Sequence, residues 1–159
     1  MKKLELLAPA RNAATAIDAI NHGADAIYMG ATKFGAREQA TNNFADIEKV
    51  IKYAHLFNVK VYVTVNTIFF DNEEKQIRDI LIDLWNLGVD AIIIQDTGIL
   101  EMDLPPICFH MSTQANNATF ERIKFWENTG ISRVILAREL SLTEIAEIKN
   151  NTSLELEAF

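Results

Sequence analysis

The chain has 159 residues, of which 49% are hydrophobic and 23% are charged, a composition typical of a globular domain with one core. Its net charge of −7 disfavours tight binding of this segment to nucleic acid, because a diffuse acidic surface repels phosphate. A local basic site, or another part of a longer protein, could still supply positive charge. The single cysteine, Cys108, excludes an intrachain disulfide and a CxxC metal or redox motif.

No apolar stretch approaches the ~20 residues of a membrane span. The first nine residues include an acid and a proline within their apolar run, whereas a secretory signal needs a longer uninterrupted one. We therefore expect a cytoplasmic protein with no membrane partner.

Short apolar segments rich in β-branched residues alternate with helical periods along the chain. The predicted strands are residues 4–8, 26–29, 60–65, 91–95, 107–111, 133–137 and 154–159. The predicted helices include residues 46–57, 73–87, 116–128 and 143–150. Residues 97–106 have room for only a turn of helix, since two prolines end that segment.

A weak repeat marks where helices end and strands begin. Gly23, Gly88 and Gly130 each precede an apolar strand start, and Asn58 occupies the equivalent place in a fourth copy. Glycine adopts the left-handed backbone freely and asparagine tolerates it, so each of these residues is predicted to end a helix.

Strict alternation of strands and helices predicts an α/β fold with a parallel sheet and right-handed crossovers. Neither GxGxxG nor GxxxxGK[ST] follows the first strand, which disfavours a doubly wound nucleotide-binding sheet. A closed barrel needs eight strands and about 250 residues. We therefore predict an incomplete TIM-type (β/α) barrel of about seven parallel strands that stops before closure. Residues 1–159 would be a single partial domain, the N-terminal part of a longer protein.

Alternation within strands predicts which side chains face the barrel interior. Val61, Val63 and Val65 form one apolar face that must pack on helices, which sends Tyr62 and its alternate neighbours inward. The full inward set is predicted to be Tyr28, Gly30, Tyr62, Thr64, Asn66, Gln95, Cys108, His110, Ser112, Gln114, Glu155 and Glu157.

This interior is unusually polar for a structural barrel core, which is mostly aliphatic. Either the polar groups satisfy one another or they line a lumen that holds a polar ligand. The second interpretation is favoured because the polar residues follow the C-terminal strand ends, where such barrels place their sites. The candidate substrate-binding residues are Arg37, Asn66, Gln95, Asp96, Ser112, Gln114, Arg138, Glu139 and Glu157.

Two of these candidates, Arg37 and Arg138, suit a carboxylate or phosphate because a guanidinium offers a fork of donors. A surface salt bridge is the alternative for each, and Arg138 could pair locally with Glu139. No catalytic residue is assigned and no metal site is predicted.

Several phrases spread along the chain resemble the N-terminal part of the collagenase-like peptidase family of unknown catalytic type, peptidase family U32. They are Glu5–Ala10, Gly23–Gly30, Phe34–Arg37 with Asn43-Phe44, Lys60–Thr67, Gly88–Ala91 with Gln95-Asp96, His110–Gln114, Arg133–Ser141 and Leu154–Phe159. The resemblance implies a peptidase that acts on peptides.

The same resemblance carries a chemical alternative. Some branches of the family are oxygen-independent hydroxylation enzymes that act on transfer or ribosomal RNA with prephenate, or on the ubiquinone ring. It implies cysteines beyond this chain that bind an iron–sulfur cluster in the full-length protein, while this chain would hold no cofactor. The implied partners are a small carboxylate metabolite or a peptide, and RNA for the full-length protein.

Three classes of function remain after the residues are weighed. Ser112 and His110 lie two apart on one predicted strand, about 7 Å between α-carbons, and do not naturally form a nucleophile–base pair. The three histidines are scattered and no HExxH occurs, so a metalloprotease is not supported either. From the family resemblance we expect a peptidase. Hydroxylation is the first alternative function, and a non-catalytic scaffold is the second. Unpaired sheet edges should also favour self-association.

Overall fold

The computed structural model describes residues 4–31 and 42–159 of the chain. Its seven strands form one parallel sheet whose spatial order is the order of the sequence. They are β1 (Leu7–Ala10), β2 (Ala26–Gly30), β3 (Lys60–Val65), β4 (Ala91–Ile94), β5 (Phe109–Met111), β6 (Arg133–Ile135) and β7 (Glu155–Glu157).

Helices connect most consecutive strands. They are α1 (Ala13–Asn21), α2 (Phe44–Leu56), α3 (Glu74–Leu87), α4 (Phe120–Glu127) and α5 (Leu142–Asn150). Between β4 and β5 a 3₁₀ turn, Thr97–Glu101, takes the place of a helix, as the prolines predict. The prediction of an incomplete TIM-type barrel with seven parallel strands is confirmed. In the described part of the chain, no helix combines the length and apolarity needed to cross a bilayer.

The two faces of the sheet divide the side chains as alternation predicts. On the outer face, Val61, Val63 and Val65 are fully buried in the main core with the helices. On the inner face, Tyr62 belongs to a smaller apolar cluster, against which Tyr28 packs. The members of that cluster are Ala26, Tyr62, Ala91, Ile93 and Ile135. The polar positions of the strands therefore point into the curled sheet.

Several predicted boundaries differ from the structure by one or two residues, and the two largest shifts, at the starts of β1 and α4, have identifiable reasons. β1 begins at Leu7 rather than at residue 4, because its ladder with β2 starts there and runs through Pro9 to Ala10. A proline is tolerated because β1 lies at the edge of the described sheet. α4 begins at Phe120 rather than at residue 116, because Asn116 has a φ of 55° and Thr119 caps the helix.

The repeat in the sequence has a hydrogen-bonding basis. The Asp25 carboxylate accepts from the Leu6 N–H at 3.0 Å, and the Asp90 carboxylate accepts from the Val61 N–H at 2.7 Å. In each case the aspartate that follows a helix end holds the backbone at the start of the preceding strand. Ser132 occupies the third place and donates its hydroxyl to the Phe109 carbonyl at 3.0 Å.

The predicted helix ends are confirmed by their backbone angles. Asn58 has a φ of 56°, and Gly23, Gly88 and Gly130 have φ values of 94°, 85° and 83°. A Cβ at Gly88 would meet no atom within 4 Å, so only backbone strain opposes a side chain there.

We predict that Gly88→Ala lowers the free energy of unfolding by about 1–2 kcal/mol, because alanine is strained in the left-handed region. Asn58→Gly is the matched reverse change and should stay within about 0.5 kcal/mol of the parent. Urea denaturation of the three proteins measures both effects. An unchanged midpoint for Gly88→Ala would contradict the argument.

Candidate functional site

At the C-terminal ends of the strands, the structure brings two of the predicted site residues together. Asn66 follows β3 and donates its side-chain amide to the Ser112 hydroxyl, which follows β5, at 3.4 Å. Ser112 is almost fully buried. Its hydroxyl also accepts from the Gln114 N–H at 3.2 Å and so caps the short turn after β5. The Ser112 hydroxyl is therefore held by two hydrogen bonds, one from Asn66 and one from the Gln114 backbone.

Asn117 ties this end of the sheet together and is not exposed at all. Its amide donates to the carbonyls of Ser112 and Ile135, each at 2.8 Å, and so bridges the ends of β5 and β6. Its side-chain oxygen accepts from the Trp126 indole at 2.9 Å. Every polar atom of this buried side chain is used, which fixes the loop that carries Ser112.

Asp96, predicted to bind substrate, is occupied by the backbone around it. One carboxylate oxygen accepts from the Gly98 N–H at 2.9 Å, and the other accepts from the Phe69 N–H at 3.3 Å. The aspartate thereby joins the loop after β3 to the turn after β4. The Asp96 carboxylate therefore supports the backbone of these two loops.

The remaining candidates are spread around the same end. Gln95 is half-buried, whereas Gln114 and Glu139 are exposed. Arg138 is also exposed, and its guanidinium carbon lies 4.6 Å from the centre of the Phe159 ring. Arg37 lies outside the described residues. The assignment of these side chains to a binding site stays a prediction.

Inside the sheet, charged side chains gather at the N-terminal strand ends. Arg133, the first residue of β6, is only 8% exposed through its side chain. One guanidinium nitrogen donates to Glu5 at 2.6 Å, and the other donates to Glu155 at 2.8 Å. Glu5 precedes β1 and Glu155 begins β7, so one guanidinium joins the first and last strands across the interior.

Tyr62 and Lys60 complete this cluster from β3. The Tyr62 hydroxyl donates to Glu5 at 2.9 Å, and the Lys60 ammonium lies 3.2 Å from the other Glu5 oxygen. The Arg133 guanidinium carbon lies 5.2 Å from the centre of the Tyr62 ring, a cation–π distance. His110 packs its ring edge-to-face on Tyr62 with centroids 4.7 Å apart.

In the cluster around Arg133, burial and ion pairing shift the pKa of each charged group in opposite directions. Burial disfavours the Arg133 cation, but hydrogen bonds to Glu5 and Glu155 outweigh burial and raise its pKa. Burial alone would raise the pKa of Glu5, yet hydrogen bonds from Arg133 and Tyr62 lower it overall. Burial also raises the pKa of Tyr62.

Among the residues that the structure describes, two buried side-chain atoms on the inner face have no hydrogen-bond partner. The first is Nδ1 of His110, whose pKa falls to about 3 because burial and the Arg133 guanidinium both disfavour the imidazolium. The second is Oε2 of Glu157, which lies 3.7 Å from Arg133, too far for a hydrogen bond. Burial raises the pKa of Glu157. The structure thus places this predicted substrate-binding residue beside Arg133 rather than beside Asn66.

Sequence reasoning missed the two central members of the cluster, Arg133 and Glu5. The prediction treated Arg133 only as the start of a strand. The same alternation that turned Glu155 and Glu157 inward places Arg133 inward, two residues before Ile135. The sequence signal for this cluster was an inward-facing arginine on one strand next to two inward-facing glutamates on the following strand.

A serine–histidine pair is not formed by Ser112 and His110. The Ser112 hydroxyl is bonded to Asn66 and Gln114, and a histidine with a pKa of about 3 is a weak general base. Across residues 4–31 and 42–159, no group of three or more His, Cys, Asp or Glu side chains is placed to hold a metal ion.

Comparisons with known proteins agree on one family. The sequence profile of peptidase family U32 matches residues 11–159. The chain is 47% identical to the 23S rRNA 5-hydroxycytidine C2501 synthase of Escherichia coli over 157 residues, which cover 99% of the chain and 24% of that protein. It is 37% identical to tRNA hydroxylation protein P1 of Bacillus subtilis over 163 residues, which cover 99% of the chain and 38% of that protein.

A solved structure supports the fold. The structure of a U32 peptidase superposes with a TM-score of 0.80 at 17% identity, and the match covers 98% of this chain and 68% of that chain. At this identity the likeness shows the fold alone. The chain spans about a quarter to two fifths of the length of the two hydroxylation proteins.

We predict that Arg133→Met destabilises the chain by about 1.5–3 kcal/mol, because Glu5 and Glu155 lose hydrogen bonds from a buried, charged guanidinium. Glu5 keeps its contacts with Tyr62 and Lys60, which limits the loss. Arg78→Met is the matched control, since Arg78 pairs with Asp103 at 3.5 Å on the surface and should contribute about 0–1 kcal/mol. Urea denaturation at neutral pH measures both. Equal small effects would show that the cluster contributes little.

We predict that stability decreases as pH falls from about 6.5 towards 3, because the pKa of His110 is about 3 when folded and near 6.5 when unfolded. In that window the unfolded chain binds more protons, so protonation favours unfolding. The lowered pKa of Glu5 adds a further loss only below about pH 4.5. The raised pKa of Glu157 acts in the opposite direction above about pH 4.5, because there the folded chain binds the additional proton.

The urea midpoint measured from pH 7 to 5 separates these effects. His110→Leu should flatten the decline over this range, whereas His22→Gln, a change at an exposed histidine, should retain the parent slope. Equal pH slopes for the parent and His110→Leu from pH 7 to 5 would refute the assignment to His110.

Proposed function

The chain belongs to peptidase family U32, and within that family we propose that it forms part of an enzyme that hydroxylates a nucleobase of RNA. The observation that carries the proposal is similarity over nearly the whole chain to proteins named for the hydroxylation of rRNA and tRNA. The partner of the full-length protein is then RNA, as the hydroxylation alternative predicts.

The geometry of the C-terminal mouth supports hydroxylation better than peptide cleavage. A serine peptidase requires a hydroxyl bonded to a base. The Ser112 hydroxyl instead accepts from Asn66 and from the backbone of Gln114. The histidine on the same strand is buried below it against Tyr62. Peptide hydrolysis, the function that the family description implies, stays a prediction without a catalytic pair among the described residues.

We place substrate binding at the C-terminal mouth, where parallel barrels hold their sites. The polar groups there are the Asn66–Ser112 pair and the exposed Arg138 guanidinium. An arginine at this position suits a carboxylate metabolite such as prephenate, or a phosphate of RNA. Arg37, outside the described residues, belongs to the same proposal.

Hydroxylation replaces a C–H bond by C–OH and removes two electrons, so a redox group and an oxygen source are required. An iron–sulfur cluster is held by several thiolates. This chain has one cysteine, Cys108, whose sulfur lies 3.0 Å from the Ser132 hydroxyl. Its residues do not fit a cluster, and we assign the chain to binding and positioning of the substrate.

The test uses the full-length protein in the organism that encodes it. Deletion of the gene should remove a hydroxylated nucleoside from digested rRNA or tRNA, measured by liquid chromatography and mass spectrometry. Ser112→Ala should lower the amount of that nucleoside without abolishing it, because it removes one polar contact of the proposed site and a cap worth about 0.5–2 kcal/mol of stability. A serine peptidase would lose its activity entirely with this change.

Two results would reject the proposal. One is an unchanged set of nucleosides after deletion. The other is a purified full-length protein that cleaves peptides and loses that cleavage in Ser112→Ala. Lys52→Ala serves as a control, because Lys52 is an exposed residue of α2 outside the predicted site.

A further inference from the structure

The loop that follows β3 presents two large apolar side chains to solvent. Ile68 is 72% exposed and Phe70 is 76% exposed. Phe69, between them, is half-buried and packs against the main core. This alternation is that of an extended segment, in which residues two apart lie on the same side. Ile68 and Phe70 therefore form one exposed surface, called here the apolar pair.

The backbone holds the apolar pair in place. The Phe69 N–H donates to Asp96 at 3.3 Å, and the Phe70 N–H donates to Glu73 at 3.0 Å. A Cβ at Gly98 would lie 3.2 Å from the Phe69 ring, so that ring packs closely on the neighbouring turn. The loop is thus anchored at Phe69, between the two exposed residues, and at Phe70 itself. Their exposure results from fixed backbone geometry, which is what a preformed contact surface requires.

The apolar pair lies at the end of the barrel where the proposed site is. It follows β3 after Asn66, whose amide contacts Ser112 at the end of β5. It is joined through Asp96 to the end of β4. Large apolar side chains exposed at a site entrance mark a surface for ligand contact.

We propose that the apolar pair stacks, through the ring of Phe70, on the face of an unpaired nucleobase presented to the mouth. This inference rests on the proposed function and specifies how the RNA is bound. Enzymes that modify a base act on it outside the base stack, which leaves both of its faces without stacking partners. Aromatic side chains supply such partners in proteins that bind unpaired RNA.

The charges around the loop fit a contact through bases rather than through the phosphate backbone. Asp71 and Glu74, which follow Phe70, are exposed acids that repel phosphate. The uncharged face of a base is not excluded in this way. Exposed arginines instead follow other strands at the same end, Arg11 after β1 and Arg138 after β6. We therefore expect the phosphates to lie towards those arginines and the base over Phe70.

The experiment compares four variants of the full-length protein in the deletion strain. Phe70→Ala removes the ring, Phe70→Leu keeps apolar area without a ring, and Phe70→Tyr keeps the ring. Phe125→Ala is the matched control, because Phe125 is a 57% exposed aromatic on α4. Hydroxylated nucleosides in total rRNA and tRNA are quantified, binding of that RNA to the purified proteins is measured, and thermal unfolding is recorded.

Stacking predicts that Phe70→Ala and Phe70→Leu weaken RNA binding about 5- to 150-fold, equivalent to ~1–3 kcal/mol for one base–aromatic stack. Phe70→Tyr and Phe125→Ala should bind within about two-fold of the parent. Melting temperatures should be unchanged, because the backbone bonds that anchor the loop do not involve the Phe70 ring.

Each of the following results would overturn the inference. Phe70→Leu binding as tightly as the parent would show that a ring is not needed. A lower melting temperature for Phe70→Ala would show that the apolar pair packs against another part of the full-length protein. Binding of a peptide mixture to the same purified proteins is measured in parallel, and a Phe70→Ala variant that loses peptide binding but keeps RNA binding would identify a peptide as the occupant. If the parent itself restores no hydroxylated nucleoside, the proposed function fails; if it does while Phe70→Ala is unimpaired, only the stacking contact fails.

Discussion

The buried guanidinium of Arg133 is the constraint on which the interior of this sheet depends. In this curled parallel sheet the strands follow sequence order, so the first and last strands are far apart along the chain. Arg133 donates to Glu5 ahead of β1 and to Glu155 at the start of β7, and so links positions 128 residues apart. A buried charge is costly unless it is paired and hydrogen-bonded, so the two glutamates and the arginine must be present together. The curvature of the sheet brings them within reach.

This arrangement divides the interior into two ends with different physical character. The charges at the N-terminal end satisfy one another, and their hydrogen bonds lower the pKa of Glu5 and raise that of Arg133. The C-terminal end is built from backbone-bound polar groups, with Asn117 and Asp96 accepting or donating to the loops around them. Loops held in this way can present side chains to a ligand without reorganisation. The division is that of barrel enzymes, in which the C-terminal face carries the site.

The sequence predicts the strand order, the helix ends and the faces of the strands because each depends on local rules. Alternation fixes the direction of Tyr62, and positive φ is required where Gly88 follows a helix. The Arg133 cluster depends instead on which distant residues the curled sheet brings together. Glu5 lies before the first strand, and no periodicity links it to Arg133. α4 starts later than predicted because Asn116 has a positive φ and Thr119 caps the helix, while Asn117 between them bonds to distant carbonyls.

The hydrogen bonds and packing of Ser112 and His110 bear on whether the family's name describes the mechanism of this chain. Sequence alone places Ser112 and His110 on one inward face, about 7 Å apart between α-carbons, which already disfavours a nucleophile–base pair. In the structure, the Ser112 hydroxyl is bonded to Asn66, and His110 packs on Tyr62 with its pKa lowered by burial and by Arg133. A lowered pKa would weaken His110 as a base even if a substrate reached it. The same groups suit a scaffold that holds a polar substrate for chemistry supplied elsewhere. Similarity to RNA hydroxylation proteins over the whole chain is therefore compatible with the site, although the family is named for peptidases.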